Sequence, residues 1–315
     1  MHYSKLLSVD IAAGVLSLSL LSCAAHASTN APLMPIQEAL QAQPNGSLAC
    51  MAIAQHSLTQ IQRLNPTLKV FITVNRNLKS DAAKLDALRR TGTALPLHCI
   101  TIAVKDNIDV AGVPTTRGSA LVAHNRPTHD AEAVRRLRAA GALFVGKTNP
   151  DELGVADSVI SSLGGKTLNP YDTTCFAAGS SDGSAMSAST GISICSIGTE
   201  TVNSLCNAAS SAGVVAVRKT HGAFSRSGVI PQSSSMNSSM GIGGPICRNI
   251  EDTVRVLEHM AGRDLRHPQT TANEGPHMPI ALENLHAADL KGVRLGILIH
   301  LLSTEPDGAP VNDIM

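Results

Sequence analysis

The sequence is poor in aromatic residues and in charge. Its 315 residues include four Phe, two Tyr and no Trp, and charged residues make up only 16%. A surface that binds nucleic acid needs a basic face or stacking aromatics, and a net charge of +1 without a basic block supplies neither. Hydrophobic residues make up 43%, which is enough to bury a sizeable core and argues against disorder. We therefore expect a folded protein with no nucleic-acid partner.

The sequence also lacks the residue spacings that hold metals. Its twelve His occur without an H-E-x-x-H motif, and its seven Cys include no C-x-x-C pair. We therefore assign no metal and no cofactor, and the irregular cysteine spacing indicates no dense disulfide framework. Export to an oxidising compartment would permit disulfides, but the sequence does not indicate which cysteines would pair. We therefore expect the cysteines to be buried free thiols.

The apolar run near the N-terminus, residues 11–21, is too short to span a bilayer, which takes about 20 residues. An A-x-A site follows at residues 25–27, so residues 1–27 are predicted to be a signal peptide that leaves Ser28 as the mature N-terminus. This pattern predicts a periplasmic or secreted protein with no stable membrane span. Two alternatives remain open: a lipid anchor on Cys23, and an N-terminal helix of a cytoplasmic protein.

The order of helical and strand patterns after residue 28 predicts one domain, 28–315, of the α/β class. Helical spacing covers residues 36–64 with a turn at 44–46, and further helices are expected at 80–90 and 130–140. Strands are expected at 70–74, 100–104 and 142–145. Such alternation indicates a mixed, largely parallel sheet flanked by helices. The Ser/Gly-rich segment 177–213 is interpreted as tightly packed core that carries site loops, since small residues at 188–197 suit a buried helix and strand.

Several blocks, in order, resemble the amidase signature family. That family carries GGSSGGS followed by GTDxGGSIRxP, and this sequence has AGSSDGS at 178–184 and GTETVNS at 198–204. Upstream, AVKDNID at 103–109 is similar to the family's lysine motif, and GKTN at 146–149 and FSRSGVIP at 224–231 also look like family blocks. The resemblance runs from Gln41 to Arg263 and is greatest to the bacterial peptide amidase branch.

The resemblance implies a serine hydrolase that cleaves carboxamide C–N bonds without a cofactor. Ser204 would be the nucleophile, Ser180 a bridging serine with a cis peptide bond, and Lys105 the base. A serine hydroxyl needs a proton acceptor beside it, and lysine accepts a proton only when burial keeps it neutral. Lys105 ends an apolar strand, where burial is expected.

The resemblance also implies an oxyanion hole, formed by the backbone N–H groups of the residues before the nucleophile. These residues are Thr201, Val202 and Asn203. The family has glycine at the last of these positions, and glycine permits positive φ and close approach of the backbone. We therefore expect the side chain of Asn203 to crowd the substrate carbonyl and to make the chain a weak amidase at best.

Other departures lie near the same motif and at the C-terminus. LCNA at 205–208 replaces the family's IRxP, and the loop after Pro231 offers Met236 and Asn237 where an acidic residue is expected. Family members continue well beyond a strand matched by residues 290–298, so the resemblance implies an amidase domain that is incomplete at its C-terminus.

Three functions are therefore compared. The first is an amidase acting on a small-molecule or peptide amide. The second is an inactive relic or an amide-binding protein of the same fold, which the Asn203 substitution and the short C-terminal region favour. The third is the amidase subunit of a tRNA-dependent amidotransferase, which requires partner subunits and a cytoplasmic location that the signal peptide opposes.

Overall fold

The computed structural model describes residues 34–43, 49–155, 160–220, 222–230, 241–272, 289, 291–294 and 296. The predicted signal peptide, the loop with Met236 and Asn237, and most of the strand expected at 290–298 lie outside these residues. The chain divides into two compact units, residues 1–279 and 280–315. The elements given below all belong to the first unit.

Eight α-helices are described in this unit. They are α1 (Ile36–Ala42), α2 (Cys50–Leu68), α3 (Leu78–Arg90), α4 (Glu132–Ala139), α5 (Asp182–Ser189), α6 (Cys206–Ala212), α7 (Ile250–Met260) and α8 (Gln269–Ala272). Short 3-10 turns occur at Ala120–Val122 and Glu152–Gly154. The helices expected at 36–64, 80–90 and 130–140 are confirmed, while the turn expected at 44–46 lies outside the described residues. Within the described part of the chain, none of these helices is both long and apolar enough to cross a membrane.

The strands form one six-stranded sheet and a separate two-stranded ribbon. Their bounds are β1 (Phe71–Val74), β2 (Thr101–Lys105), β3 (Leu143–Thr148), β4 (Ile160–Ser161), β5 (Gly165–Lys166), β6 (Cys195–Glu200), β7 (Val215–Ala216) and β8 (Ile242–Cys247). The main sheet has the order β1-β3-β2-β6-β8-β7. Strand β2 pairs in parallel with both β3 and β6, and the outer pairings are antiparallel. The predicted α/β class with a mixed sheet is confirmed.

Small residues allow α5 to pack deep in the core against the sheet. Every residue of α5 from Asp182 to Ala188 is buried. At Gly183 an added Cβ would overlap the backbone oxygens of Val70 and Asn149, so only glycine allows this approach. The α5 part of the Ser/Gly-rich segment is therefore packed core, as the sequence indicates.

The prediction of buried free thiols is wrong for all six described cysteines, because four form disulfides and two are exposed. Disulfides join Cys50 to Cys99 and Cys195 to Cys247, with Cα–Cα distances of 5.2 and 4.5 Å. The second pair consists of cross-strand neighbours on β6 and β8. Its members lie 52 residues apart in the sequence, so only the sheet register brings them together. The two free cysteines among the described residues, Cys175 and Cys206, are exposed.

Candidate active site

The candidate site forms where β2 and β6 end. These strands are parallel neighbours, so their carboxyl ends, at Lys105 and Glu200, lie at the same edge of the sheet. The loop 201–205 leaves β6 at this edge and carries Ser204. Helix α5 begins beside this loop. Ser180 and Ser181 directly precede the first residue of the helix, Asp182.

The structure brings the three predicted catalytic residues together. Lys105 Nζ lies 2.8 Å from Ser180 Oγ, and Ser180 Oγ lies 2.9 Å from Ser204 Oγ. All three side chains are buried, and the Gly179–Ser180 peptide bond is cis. The expected juxtaposition is confirmed over sequence separations of 75 and 24 residues, whereas the catalytic roles stay a prediction.

Burial sets the electrostatics of Lys105. The residue ends a strand in which every side chain is buried, and this burial lowers the pKa of Lys105 to about 7, against the opposing charges of Asp182, Asp151 and Glu200. Its Nζ also lies 3.0 Å from Ser181 Oγ and 3.4 Å from the Thr199 carbonyl oxygen. The amine thus has three polar neighbours.

Asp182, a buried carboxyl group that the sequence interpretation did not single out, directly follows Ser181, whose Oγ contacts Lys105 Nζ. Burial, with repulsion from Asp151, raises the pKa of Asp182 to about 8, against a hydrogen bond from Thr167 and the charge of Lys105. The signal was present in the sequence, because AGSSDGS has Asp182 where the motif GGSSGGS has glycine.

The predicted oxyanion loop combines buried and exposed residues. Thr201 and Ser204 are buried, whereas Val202 is 69% exposed and Asn203 is also exposed. Among the described residues, no group accepts a hydrogen bond from the backbone N–H of Val202 or of Asn203. Non-glycine residues with positive φ in the described chain are Lys69, Cys99, Arg117 and Leu153. Asn203 does not adopt the left-handed conformation considered for it.

Glu200 anchors the segment that follows Ser204. Its Oε2 accepts hydrogen bonds from the backbone N–H groups of Leu205 at 2.8 Å and Cys206 at 2.9 Å. Its Oε1 lies 3.4 Å from Arg218 Nη1. The carboxylate thereby holds the N-terminus of α6 against the end of β6.

The lysine-motif block and the GKTN block meet in a second buried cluster. Lys147 Nζ lies 3.1 Å from Asp106 Oδ1 and donates to Thr115 Oγ1 at 2.9 Å. Asp106 also accepts from the backbone N–H of Thr116 at 3.1 Å. This ion pair fixes the chain that leaves β2 after Lys105, which explains why both blocks accompany the site.

One cluster of potential metal ligands occurs among the described residues. The ligand atoms of Cys50, His98 and Cys99 lie within 4.8 Å of one another. The two sulfur atoms are bonded to each other, and a metal-binding cysteine needs a free thiolate. This cluster therefore does not supply a metal site in the oxidised protein.

The family model for Amidase matches residues 52–310, and the chain belongs to this family. Amide hydrolysis in general is the chemistry that this membership supports. The blocks that carry the resemblance in sequence are the same blocks that meet at the edge of the sheet.

Curated relatives are similar to this chain in sequence, and solved structures are similar to it in fold. A glutamyl-tRNA(Gln) amidotransferase subunit of Symbiobacterium thermophilum is 39% identical over 260 residues, covering 82% of this chain and 52% of the relative. The native peptide amidase of Stenotrophomonas maltophilia is similar with a TM-score of 0.72 at 36% identity, covering 78% of this chain and 52% of that one. An amidase family protein from Bacillus anthracis has a TM-score of 0.72 at 26% identity, covering 84% and 53%. The chain thus spans about half the length of these relatives.

Proposed function

We propose that this protein is an amidase that hydrolyses a carboxamide C–N bond, with Ser204 as nucleophile, Ser180 as proton bridge and Lys105 as base. The observation that carries the proposal is the continuous line of polar atoms from Lys105 Nζ through Ser180 Oγ to Ser204 Oγ, with steps of 2.8 and 2.9 Å. Both steps are within ordinary hydrogen-bond reach.

The relay works when Lys105 is a neutral amine. Such an amine has two N–H groups and one lone pair. The N–H groups donate to Ser181 Oγ and the Thr199 carbonyl oxygen, at 3.0 and 3.4 Å. The lone pair then accepts the Ser180 hydroxyl proton, because Ser180 is the remaining neighbour. The surroundings of Lys105 thereby orient its basic atom.

The reaction proceeds in two halves. Ser180 passes its proton to Lys105 and receives the proton of Ser204, while Ser204 Oγ bonds to the substrate carbonyl carbon. The C–N bond then breaks, and the proton returns through Ser180 to the leaving nitrogen. Water attacks the resulting ester through the same relay, releases a carboxylic acid and restores Ser204.

The loop before Ser204 is the proposed oxyanion hole. Backbone N–H groups of Thr201, Val202 and Asn203 would stabilise the negative carbonyl oxygen of the tetrahedral intermediate. The amides of Val202 and Asn203 have no acceptor within the described residues. They remain available for a substrate oxygen.

The proposed substrate is a small-molecule or peptide amide, and the proposed location is the periplasm or the exterior of the cell. One structural relative is a peptide amidase in complex with the competitive inhibitor chymostatin, which supports the substrate class. Two disulfides support export, because such bonds persist in oxidising compartments. The signal peptide predicted at residues 1–27 favours the same location.

A second candidate is the amidase subunit of a tRNA-dependent amidotransferase. The similarity to the amidotransferase subunit of Symbiobacterium thermophilum favours it. The two candidates are distinguished by the substrates that they hydrolyse. Release of ammonia from free glutamine supports the amidotransferase component. Hydrolysis of peptide amides without hydrolysis of glutamine supports the exported amidase.

Labelling with a serine-directed fluorophosphonate tests the function. Only an activated serine reacts, so we expect labelling of the wild type and of Ser80→Ala, a control for an exposed serine on α3, but not of Ser204→Ala. Labelling that survives Ser204→Ala would show that the nucleophile is misassigned. A folded wild type that neither labels nor hydrolyses amides would support the inactive relic.

A further inference from the structure

A buried histidine lies beside the Cys50–Cys99 disulfide. The ligand atoms of Cys50, His98 and Cys99 lie within 4.8 Å of one another, and each residue is at most 1% exposed. The other disulfide, Cys195–Cys247, belongs to no such group in the described part of the chain. Two sulfur atoms and an imidazole are thus gathered at one buried point, although Cys50 and Cys99 lie 49 residues apart in the sequence.

The imidazole of His98 has the hydrogen bonds of a metal-binding histidine. Its Nε2 lies 3.2 Å from the backbone oxygen of Leu85. A carbonyl oxygen only accepts, so Nε2 carries the proton and Nδ1 keeps its lone pair. Nδ1 accepts from the backbone N–H of Leu95 at 3.4 Å, a long contact that a metal ion would replace. A histidine that binds a metal through one ring nitrogen commonly donates its other N–H to a carboxylate or carbonyl oxygen.

Contacts that do not involve sulfur hold both sides of this cluster. Asp86 on α3 accepts a hydrogen bond from the backbone N–H of Cys50, the first residue of α2, at 2.9 Å. On the other side, the side-chain amide of Gln43 donates to the backbone oxygen of His98 at 2.8 Å. We therefore expect Cys50, His98 and Cys99 to stay together when the disulfide is reduced.

We propose that Cys50, His98 and Cys99 bind a zinc ion when the Cys50–Cys99 disulfide is reduced. Thiolate sulfur and imidazole nitrogen are the ligands that zinc prefers in tetrahedral sites. At zinc bond lengths such ligand atoms lie about 3.5–3.8 Å apart, which the cluster reaches once its two sulfur atoms separate by about 2 Å. Three protein ligands leave the fourth position of the tetrahedron to a water molecule.

Reduction and metal binding follow one another. A dithiol reductant gives two electrons and two protons to the disulfide and becomes a disulfide itself, so that Cys50 and Cys99 become thiols. Zinc then bonds to both sulfur atoms and to His98 Nδ1, and the two thiol protons pass to solvent. Either form links the start of α2 to the segment before β2, the disulfide under oxidising conditions and zinc under reducing ones. This inference does not depend on the amidase activity.

Zinc binding by the full-length chain tests the proposal. The protein is reduced with a dithiol, separated from it under nitrogen and titrated with Zn²⁺ against a chromophoric chelator. We expect the reduced wild type to bind a zinc ion that the oxidised wild type does not bind. His98→Ala should weaken this binding by about tenfold or more, whereas His56→Ala, which removes a half-buried histidine on α2, should leave it unchanged. Equal zinc binding by the reduced and oxidised wild type, or by His98→Ala and the reduced wild type, would overturn the proposal.

A second measurement does not depend on the folding of His98→Ala. Co²⁺ bound by thiolates absorbs in the near ultraviolet through charge transfer from sulfur, so we expect this band when Co²⁺ is added to the reduced wild type. The band should persist in the double variant Cys175→Ser with Cys206→Ser, which lacks the two exposed thiols, and should disappear when Zn²⁺ replaces Co²⁺. Absence of the band in the wild type, or its loss in the double variant, would overturn the proposal.

Discussion

Asn203 precedes the proposed nucleophile at a position where the family motif has glycine. Its φ is not in the left-handed region, so the backbone does not require glycine. Any impairment of catalysis by Asn203 therefore comes from its side chain alone. That side chain is exposed, and it directly precedes Ser204 in the chain.

Asn203→Gly is expected to raise kcat/KM for an amide substrate. An obstructed oxyanion donor costs about 3 kcal/mol in the transition state, so the gain can reach about a hundredfold. The measurement is amide hydrolysis by purified wild type and variant, and the added change Ser204→Ala must abolish both activities. Equal rates in wild type and Asn203→Gly would mean that Asn203 does not obstruct the carbonyl.

Helix α6 begins two residues after Ser204, and its start is fixed from another element. Its N-cap position, Leu205, makes no side-chain cap. The Glu200 carboxylate at the end of β6 accepts from the first amides instead, where the partial positive charge of a helix N-terminus favours an anion. Strand β6 and helix α6 thus hold the loop with Ser204 between them.

Glu200→Ala is expected to lower the free energy of unfolding and the rate of Ser204 labelling together. The variant leaves two amides without their acceptor, at a cost of about 1–3 kcal/mol for each that stays buried. Arg218→Ala is the matched control and should cost less than about 1 kcal/mol, because the arginine is partly exposed. Urea unfolding with labelling kinetics measures both effects. Equal losses in the two variants would contradict the role of Glu200 as the helix anchor.

At the scale of the whole molecule, two disulfides link distant parts of the chain. Cys50–Cys99 ties the start of α2 to the segment before β2, and Cys195–Cys247 crosses between β6 and β8. Closing a loop of 52 residues contributes about 4 kcal/mol in the chain-entropy model. The second disulfide thus cross-links β6, the strand that leads into the site, to its neighbour β8.

The mature protein from an oxidising compartment should show two reactive thiols after unfolding without reductant, those of Cys175 and Cys206. Reduction should raise the count to six if cleavage follows Ala27, since this removes one of the seven cysteines. Thiol titration with mass spectrometry measures both counts. Six reactive thiols before reduction would contradict the disulfides and weaken the proposal of export.

Local patterns predicted much of the fold. The strand expected at 100–104 is β2, Thr101–Lys105, and the helix expected at 80–90 is α3, Leu78–Arg90. Strand β8 was not predicted, because Gly243, Gly244 and Pro245 are residue types depleted in strands. Its place beside β6 depends on pairing with Cys195–Glu200, a contact that no local pattern encodes.

The sequence by itself determined the family and the α/β class, and it pointed to Lys105, Ser180 and Ser204 as candidate catalytic residues, because ordered motifs and apolar periodicity can be read without coordinates. Only the tertiary structure decided which cysteines pair and that Ser181 and the Thr199 carbonyl oxygen contact Lys105. These facts depend on distances between residues far apart in the chain. The strength of a charge interaction depends on separation and burial, and both are set only when β2, β6 and α5 have packed together.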